Sequence, residues 1–202
     1  MPAFKLVLWG AAAAWPAYNL WRVFTAPQNA IEVSAAAHAR CPRSFAFQTY
    51  MEVREYYKQL SSGHRKYVMS GGERLMEDVV IDVWETAGFQ FVKHRYRVTE
   101  LIPDRRMRLL SEHSEVRVLW LFKGRSRSEV EFRFDDAAAN ETSLGLTIRI
   151  VFANRLRHLV ARLFFTEAIW AAHAREEMKA LARMIERRYK ESETPGTRVD
   201  EP

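Results

Sequence analysis

The sequence predicts an α+β domain: an antiparallel sheet covered by a long C-terminal helix, with an apolar helix placed before it. Three observations carry this. Between Val79 and Ile150 apolar and polar residues alternate in successive runs, which is the period of strands with one buried and one wet face. From Asn154 to about Arg188 the apolar residues recur at helical spacing, and no other segment is long enough to cover the buried face of the sheet. Finally, Leu6 to Trp21 carries no charge and is bracketed by Lys5 and Arg22.

Taken in order, the apolar segment comes first. Three readings of residues 4–24 are open. The sequence favours a membrane anchor, because Trp9, Trp15, Tyr18 and Trp21 resemble the aromatic belt of a bilayer interface. The Ala11 to Ala14 run also suits a cleaved signal peptide, exported rather than tethered, and a terminal helix of the globular domain is the third reading. Pro16 kinks the helix in each case. Residues 1–28 therefore form an N-terminal segment with a short linker, 29–190 the main domain, and 191–202 a polar tail with two prolines that the composition predicts to be disordered.

Within the main domain, Ile31-Glu32-Val33 reads as a strand, and Pro42 to Tyr50 and Met51 to Leu60 read as two short helices ended by Ser61-Ser62-Gly63. Val79, Ile81, Val83 and Glu85 share one face of a strand, with Asp78, Asp82 and Trp84 on the other. Phe89 to Leu101, Met107 to Ser111 and Val116 to Phe122 follow as strands, with a turn at Pro103-Asp104. Two more show strict alternation, one through Val130, Phe132 and Phe134 and one through Leu144, Leu146, Ile148 and Ile150. On the final helix, Leu163, Trp170, Leu181 and Met184 fall on one face together with His173 and Glu177, while Glu176 points elsewhere.

Composition narrows the function classes. The single cysteine, Cys41, excludes an intrachain disulfide and any zinc site built on several cysteines. Lys and Arg outnumber Asp and Glu by 31 to 25, a net charge of +6, which suits an anionic partner without naming one. Arg95, Arg97, Arg106, Arg108, Arg117 and Arg133 recur on strands, but Glu100, Glu115, Glu129 and Glu131 interleave with them. Cross-strand ion pairs account for both signs, so a nucleic-acid partner is disfavoured. His94 and His113, in strands rich in Arg and Glu, read as surface residues, and His158 reads as part of a basic face with Arg155, Arg157 and Arg162. No phosphate-binding glycine loop or nucleophile elbow is present.

The order of elements, supported by Ile31-Glu32-Val33 before a proline-containing helix start, by Tyr96 to Met107 across a hairpin, and by His173-Ala174-Arg175-Glu176-Glu177 before Leu181 and Ile185-Glu186, resembles the START-like superfamily (SRPBCC). That superfamily includes the birch pollen allergen and the polyketide cyclases. The resemblance covers Ala30 to Tyr189. It implies a helix-grip fold, a curved antiparallel sheet of about seven strands wrapped on the C-terminal helix, with a cavity for a lipid, polyketide or aromatic molecule. Phe89, Phe91, Trp120, Phe132, Phe134 and Trp170 are the candidates to line it.

One branch of the superfamily, the diacetylphloroglucinol hydrolases, holds zinc with two His and two Glu. His173 and Glu177 match its C-terminal helix spacing, and the resemblance assigns His64 and Glu85 as the other two ligands. Glu85 also carries weight of its own, since an unpartnered carboxylate at an inward strand position is costly. Two expectations follow. In one, the pocket binds a hydrophobic or aromatic molecule and His173, Glu177 and Glu85 orient it. In the other, the four residues hold zinc that activates water to hydrolyse a carbon–carbon bond of an acylated phenol.

Overall fold

The computed structural model describes residues 2–26, 28–119 and 122–193, with side chains described from Ala14 onward. The chain runs α1 (Pro2–Thr25), β1 (Ala30–Ala39), α2 (Arg43–Met51), α3 (Val53–Leu60), β2 (His64–Ser70), β3 (Val80–Ala87), β4 (Gln90–Ile102), β5 (Arg106–Val118), β6 (Phe122–Ala138), β7 (Glu141–Val151), α4 (Arg155–Leu163) and α5 (Thr166–Glu193). The strands form one sheet in the order β1-β7-β6-β5-β4-β3-β2, every pair antiparallel.

Alternation produces this sheet directly. In β7, Thr142, Leu144, Leu146, Ile148 and Ile150 are buried and the residues between them half-buried, as expected of a strand paired on both edges. The buried face is covered by α2, α3 and α5. Tyr50 of α2 lies 4.6 Å from Phe132 and Phe47 lies 5.4 Å from Phe134, ring centre to ring centre, each in a tilted or edge-on arrangement that suits the ring quadrupoles. α5 lies mainly against β1, whose Ala35, Ala36, Ala37 and Ala39 keep the strand surface low. On the opposite face Arg108 pairs with Glu131 at 2.5 Å, Arg106 with Glu100 at 2.6 Å and Arg149 with Glu129 at 3.1 Å, the ion-pair lattice that the interleaved charges predict.

Several boundaries differ from the sequence reading. Met107–Ser111 and Val116–Phe122 are not two strands: they lie largely in β5, interrupted by a bulge between Ser111 and Ser114, and Phe122 begins β6. β2, at the sheet edge, has no alternation in sequence to announce it. The C-terminal helix is two helices. Asn154 caps α4, its side-chain oxygen accepting from the Arg157 N–H at 2.9 Å, and the chain breaks at Phe165, which has a left-handed φ of 56°. A bulky residue adopts that conformation at a cost, offset by tertiary contacts: Gln90 Nε2 donates to the Phe164 carbonyl at 3.2 Å and to Thr166 Oγ1 at 2.9 Å, and the Phe165 ring stacks on Trp15 at 4.8 Å. Leu163 thus belongs to α4 and not to the helix that carries His173.

The membrane-anchor expectation is overturned. Among the described residues no helix is long and apolar enough to cross a membrane. Pro16, Asn19 and Arg22 lower the hydropathy of α1, whose inner side is committed to the domain. Val23 and Asn19 are buried, Arg22 pairs with Glu167 at 3.5 Å, and α1 packs along α4. His158 is a second correction. It is not on a basic face but fully buried, stacked on Phe152 at 5.7 Å and accepting from Arg162 Nε at 3.0 Å. Within the expected disordered tail, α5 continues through Glu193, and residues 194–202 lie outside the described residues.

Candidate functional site

Five ionisable side chains converge between the sheet and α5. His64 begins β2 directly opposite Glu85 of β3. His94 stands on the inward face of β4, and His173 and Glu177 occupy successive turns of α5. Both α5 residues are buried, as are His64 and His94. Gly63 permits the approach of β2 to α5: a Cβ there would lie 2.0 Å from the Thr86 carbonyl oxygen and 3.1 Å from His173 Cε1.

Each imidazole is anchored through one nitrogen and leaves the other without a partner. His64 Nδ1 lies 2.8 Å from the Tyr57 carbonyl oxygen. Since a carbonyl only accepts, the Nδ1 proton is fixed and Nε2 of the neutral ring keeps its lone pair. The Tyr57 ring stacks on this imidazole at 4.0 Å. His94 Nδ1 meets Ser114 Oγ at 2.7 Å and His173 Nδ1 meets Ser61 Oγ at 3.3 Å. The Nε2 atoms of all three rings are buried and lack a hydrogen-bond partner. His64 Nε2 lies 3.9 Å from Glu85 Oε1 and 3.9 Å from Glu177 Oε2, and His94 Nε2 lies 3.9 Å from Glu85 Oε2. These are too long for hydrogen bonds.

Donor atoms of His64, Glu85 and His173 all lie within 4.8 Å of one another. Nitrogen and oxygen donors of this kind suit zinc and other first-row divalent ions, and an imidazole held through its far nitrogen is how metal-binding histidines are oriented. The donor set therefore fits a metal ion. Of the four ligands assigned from the sequence, the structure brings all into one cluster; Glu177 lies at its margin, facing His64.

The electrostatics separate the two carboxylates. Burial, the largest influence on Glu85, pushes its pKa up, but His64, His94 and His173 and the 2.5 Å hydrogen bond from the Tyr57 hydroxyl together hold it below the ordinary value. Glu177 has no such support. Burial raises it to about 7, with His64 opposing and Glu85 reinforcing. Burial likewise lowers His94 to about 4 and depresses His173, so both rings are neutral at pH 7.

His94 was read as a surface residue, wrongly. Its neighbours in β4 are charged because they occupy the opposite parity; the burial of Val92, His94 and Tyr96 follows from the same alternation, which was the signal available. Beside the cluster lie two cavities that share Trp170 and Ile148. The larger, about 260 Å³, sits under α4 and is walled mainly by apolar side chains such as Val92, Val118, Ile150, Val160 and Phe164, with Gln90, His94, Ser126, Ser128 and Thr166 among its polar residues and Lys123, Arg125 and Arg157 also lining it. The smaller, about 50 Å³, is lined by Tyr57, Tyr67, Tyr96, Phe132, Glu85 and Glu177 among others. Of the predicted pocket aromatics, Trp170 lines both and Phe132 the smaller. Phe134 lies in the core against Phe47, Phe89 is exposed in the turn before β4, Phe91 is half-buried away from both cavities, and Trp120 lies outside the described residues. Gln90, which receives the Trp170 indole N–H at 3.0 Å, was not foreseen.

No protein-family model matches the chain, and no curated protein matches it in sequence. Solved structures do match in shape. An aromatase/cyclase (ZhuI) from a Streptomyces species superposes with a TM-score of 0.59 at 14% identity over 79% of this chain and 96% of its own. A Thermus thermophilus protein also gives 0.59 at 14% identity, over 76% and 96%. Norcoclaurine synthase from Thalictrum flavum gives 0.52 at 8% identity, over 77% and 93%. With the seven-stranded antiparallel sheet gripping α5 and the cavities between them, the chain has the helix-grip fold that these structures share.

Proposed function

We propose that this protein binds a hydrophobic or aromatic small molecule between the sheet and its C-terminal helices. The observation that carries this is the 260 Å³ cavity, walled by aliphatic and aromatic side chains with few polar groups directed into it, the usual construction of a small-molecule site. At that size it lies just below the usual range for such sites, about 300 Å³ upward, which suits a body of one or two rings or a medium-length chain. His94, whose Nε2 has no partner, supplies the hydrogen bond that orients the occupant, and Trp170, held by Gln90, provides a flat apolar wall.

The test is displacement of the neutral fluorophore N-phenyl-1-naphthylamine, read on the full chain. Val160→Trp, which fills the cavity from α4, is expected to weaken probe binding at least roughly tenfold. Unchanged affinity in that variant overturns the assignment.

A second reading, that the cluster holds a divalent metal, is favoured by the unpartnered Nε2 atoms of His64 and His173 beside Glu85. His64, His173 and Glu85 would hold it, with Glu177 as a fourth donor. When bound, such an ion polarises a carbonyl and lowers the pKa of bound water, the chemistry needed to hydrolyse an acylated phenol. The residues themselves orient and insulate the site: Tyr57 steers Glu85 and fixes His64, and Ser61 sets the rotation of His173. Elemental analysis before and after chelation is expected to find about one transition-metal ion per chain, lost in His173→Ala. Metal retained in that variant, or absent after metal-replete expression, removes this reading and leaves the first intact.

A further inference from the structure

The large cavity does not end in plain solvent. It opens into a second groove of about 340 Å³, and Val116, Lys123, Gly124, Arg125 and Arg157 line both. The groove is completed by Glu115 and Arg117. Its rim therefore carries four cations and one carboxylate.

These cations differ from the arginines of the ion-pair lattice on β5, β6 and β7. Arg106, Arg108, Arg127, Arg133 and Arg149 each have a carboxylate oxygen within 4.0 Å. Among the described residues, no ion pair involves Arg117, Lys123, Arg125 or Arg157, and Glu115 reaches none of them even though it stands opposite Arg125 in the register. Like charges gathered on one rim repel each other unless an anion relieves them. Lys123 and Arg125 project from alternate positions of β6 with Gly124 between them, where an added Cβ would meet nothing within 4 Å. Gly124 faces the same side of β6 as the buried Ser126 and Ser128, so its missing side chain leaves the mouth of the apolar chamber open beside these charges.

From this we propose that the occupant is an amphipathic anion: an apolar body lying against Val118, Ile150 and Val160, and a carboxylate or phosphate head held at the mouth by Lys123, Arg125 and Arg157. Guanidinium groups match such oxyanions in geometry as well as charge. The inference rests on the reading of the cavity as a small-molecule site and specifies the chemistry of what enters it.

The test compares decanoate, decan-1-ol and decyl phosphate as competitors of N-phenyl-1-naphthylamine on the full chain. Decanoate is expected to bind roughly tenfold more tightly than decan-1-ol at low salt, with the preference shrinking as salt rises. In the variant Lys123→Ala/Arg125→Ala/Arg157→Ala the preference disappears while decan-1-ol affinity stays the same, and Arg125→Glu alone lowers decanoate affinity. All three side chains are exposed, so the variants are expected to retain the wild-type circular dichroism. Decyl phosphate binding tighter or weaker than decanoate assigns the head to phosphate or carboxylate. Equal affinity for decanoate and decan-1-ol in the wild type, or a preference that survives in the triple variant, overturns the proposal and leaves the apolar cavity standing. Failure of the fluorophore and all three competitors to bind overturns the cavity reading itself.

Discussion

Trp170 stands between two chambers of opposite character. On one side Glu85 and Glu177 face tyrosine hydroxyls in a space of about 50 Å³, and on the other a space of about 260 Å³ is almost wholly apolar. Both are framed by the same helix and sheet. What differs is how each polar group is supported. In the small chamber, ionisable groups are held by neighbours: Tyr57 donates to Glu85 and its carbonyl fixes His64. In the large one, Gln90 satisfies the backbone and Trp170, and charge is kept to the exposed rim. A buried ion is tolerable where partners surround it, and an apolar cavity is tolerable where charge can stay wet. One fold can hold both because the Trp170 indole and Ile148 stand between them.

Removing that indole is the strongest way to break the comparison. Trp170 is 3% exposed, and Trp170→Ala is expected to cost about 3–5 kcal/mol. For a chain of this size that lowers Tm by roughly 10 °C, read by thermal denaturation, and it should abolish the independence of the two chambers. A smaller and more selective change is Gly63→Ala. Its Cβ cannot coexist with the Thr86 carbonyl oxygen 2.0 Å away, so β2 must shift, at about 1–3 kcal/mol. Denaturant unfolding should show lost stability and, on the metal reading, elemental analysis should show lost metal, while affinity for the neutral fluorophore is unchanged. A parallel fall in fluorophore affinity would mean the chambers are coupled.

The smallest effect concerns His158, which lies behind the wall of the large chamber, stacked on the lining residue Phe152. Burial, then Arg162 and Arg22, lowers His158 from 6.5 to about 4. With the folded pKa below the unfolded one, the unfolded chain binds more protons between these values. The His158 contribution to stability is therefore full above about pH 6.5 and falls as pH drops toward about 4. His94 and His173, also lowered, add to the same slope. His158→Phe should remove only its own share, so urea denaturation at pH 5 and pH 7.5 is expected to show a smaller difference in the variant than in the wild type. An identical difference would place His158 outside this linkage.

How much of this was legible in the residues depends on whether a feature is local. Strict alternation in β3, β6 and β7 and the helical spacing of Trp170, His173, Glu177, Leu181 and Met184 were enough to predict the sheet, the covering helix and the inward direction of Glu85, His173 and Glu177. His94 obeyed the same parity but was obscured by its charged neighbours. The resemblance supplied His64, whose direction no period could set; the structure places it against Glu85 because β2 pairs with β3 in that register.

Other features lie beyond any local pattern. The break at Phe165 depends on Gln90 and Trp15, distant in sequence. The docking of α1 depends on Glu167 and Phe165, which turned an aromatic-rich helix away from the membrane role its composition suggested. The cationic rim exists only because β6 and the first turn of α4 meet at one opening. Alternation and spacing decide which way a side chain faces, since that is a property of a single element's backbone. Which side chains share a chamber, and which are left without a partner, is set by how elements from distant parts of the chain pack together.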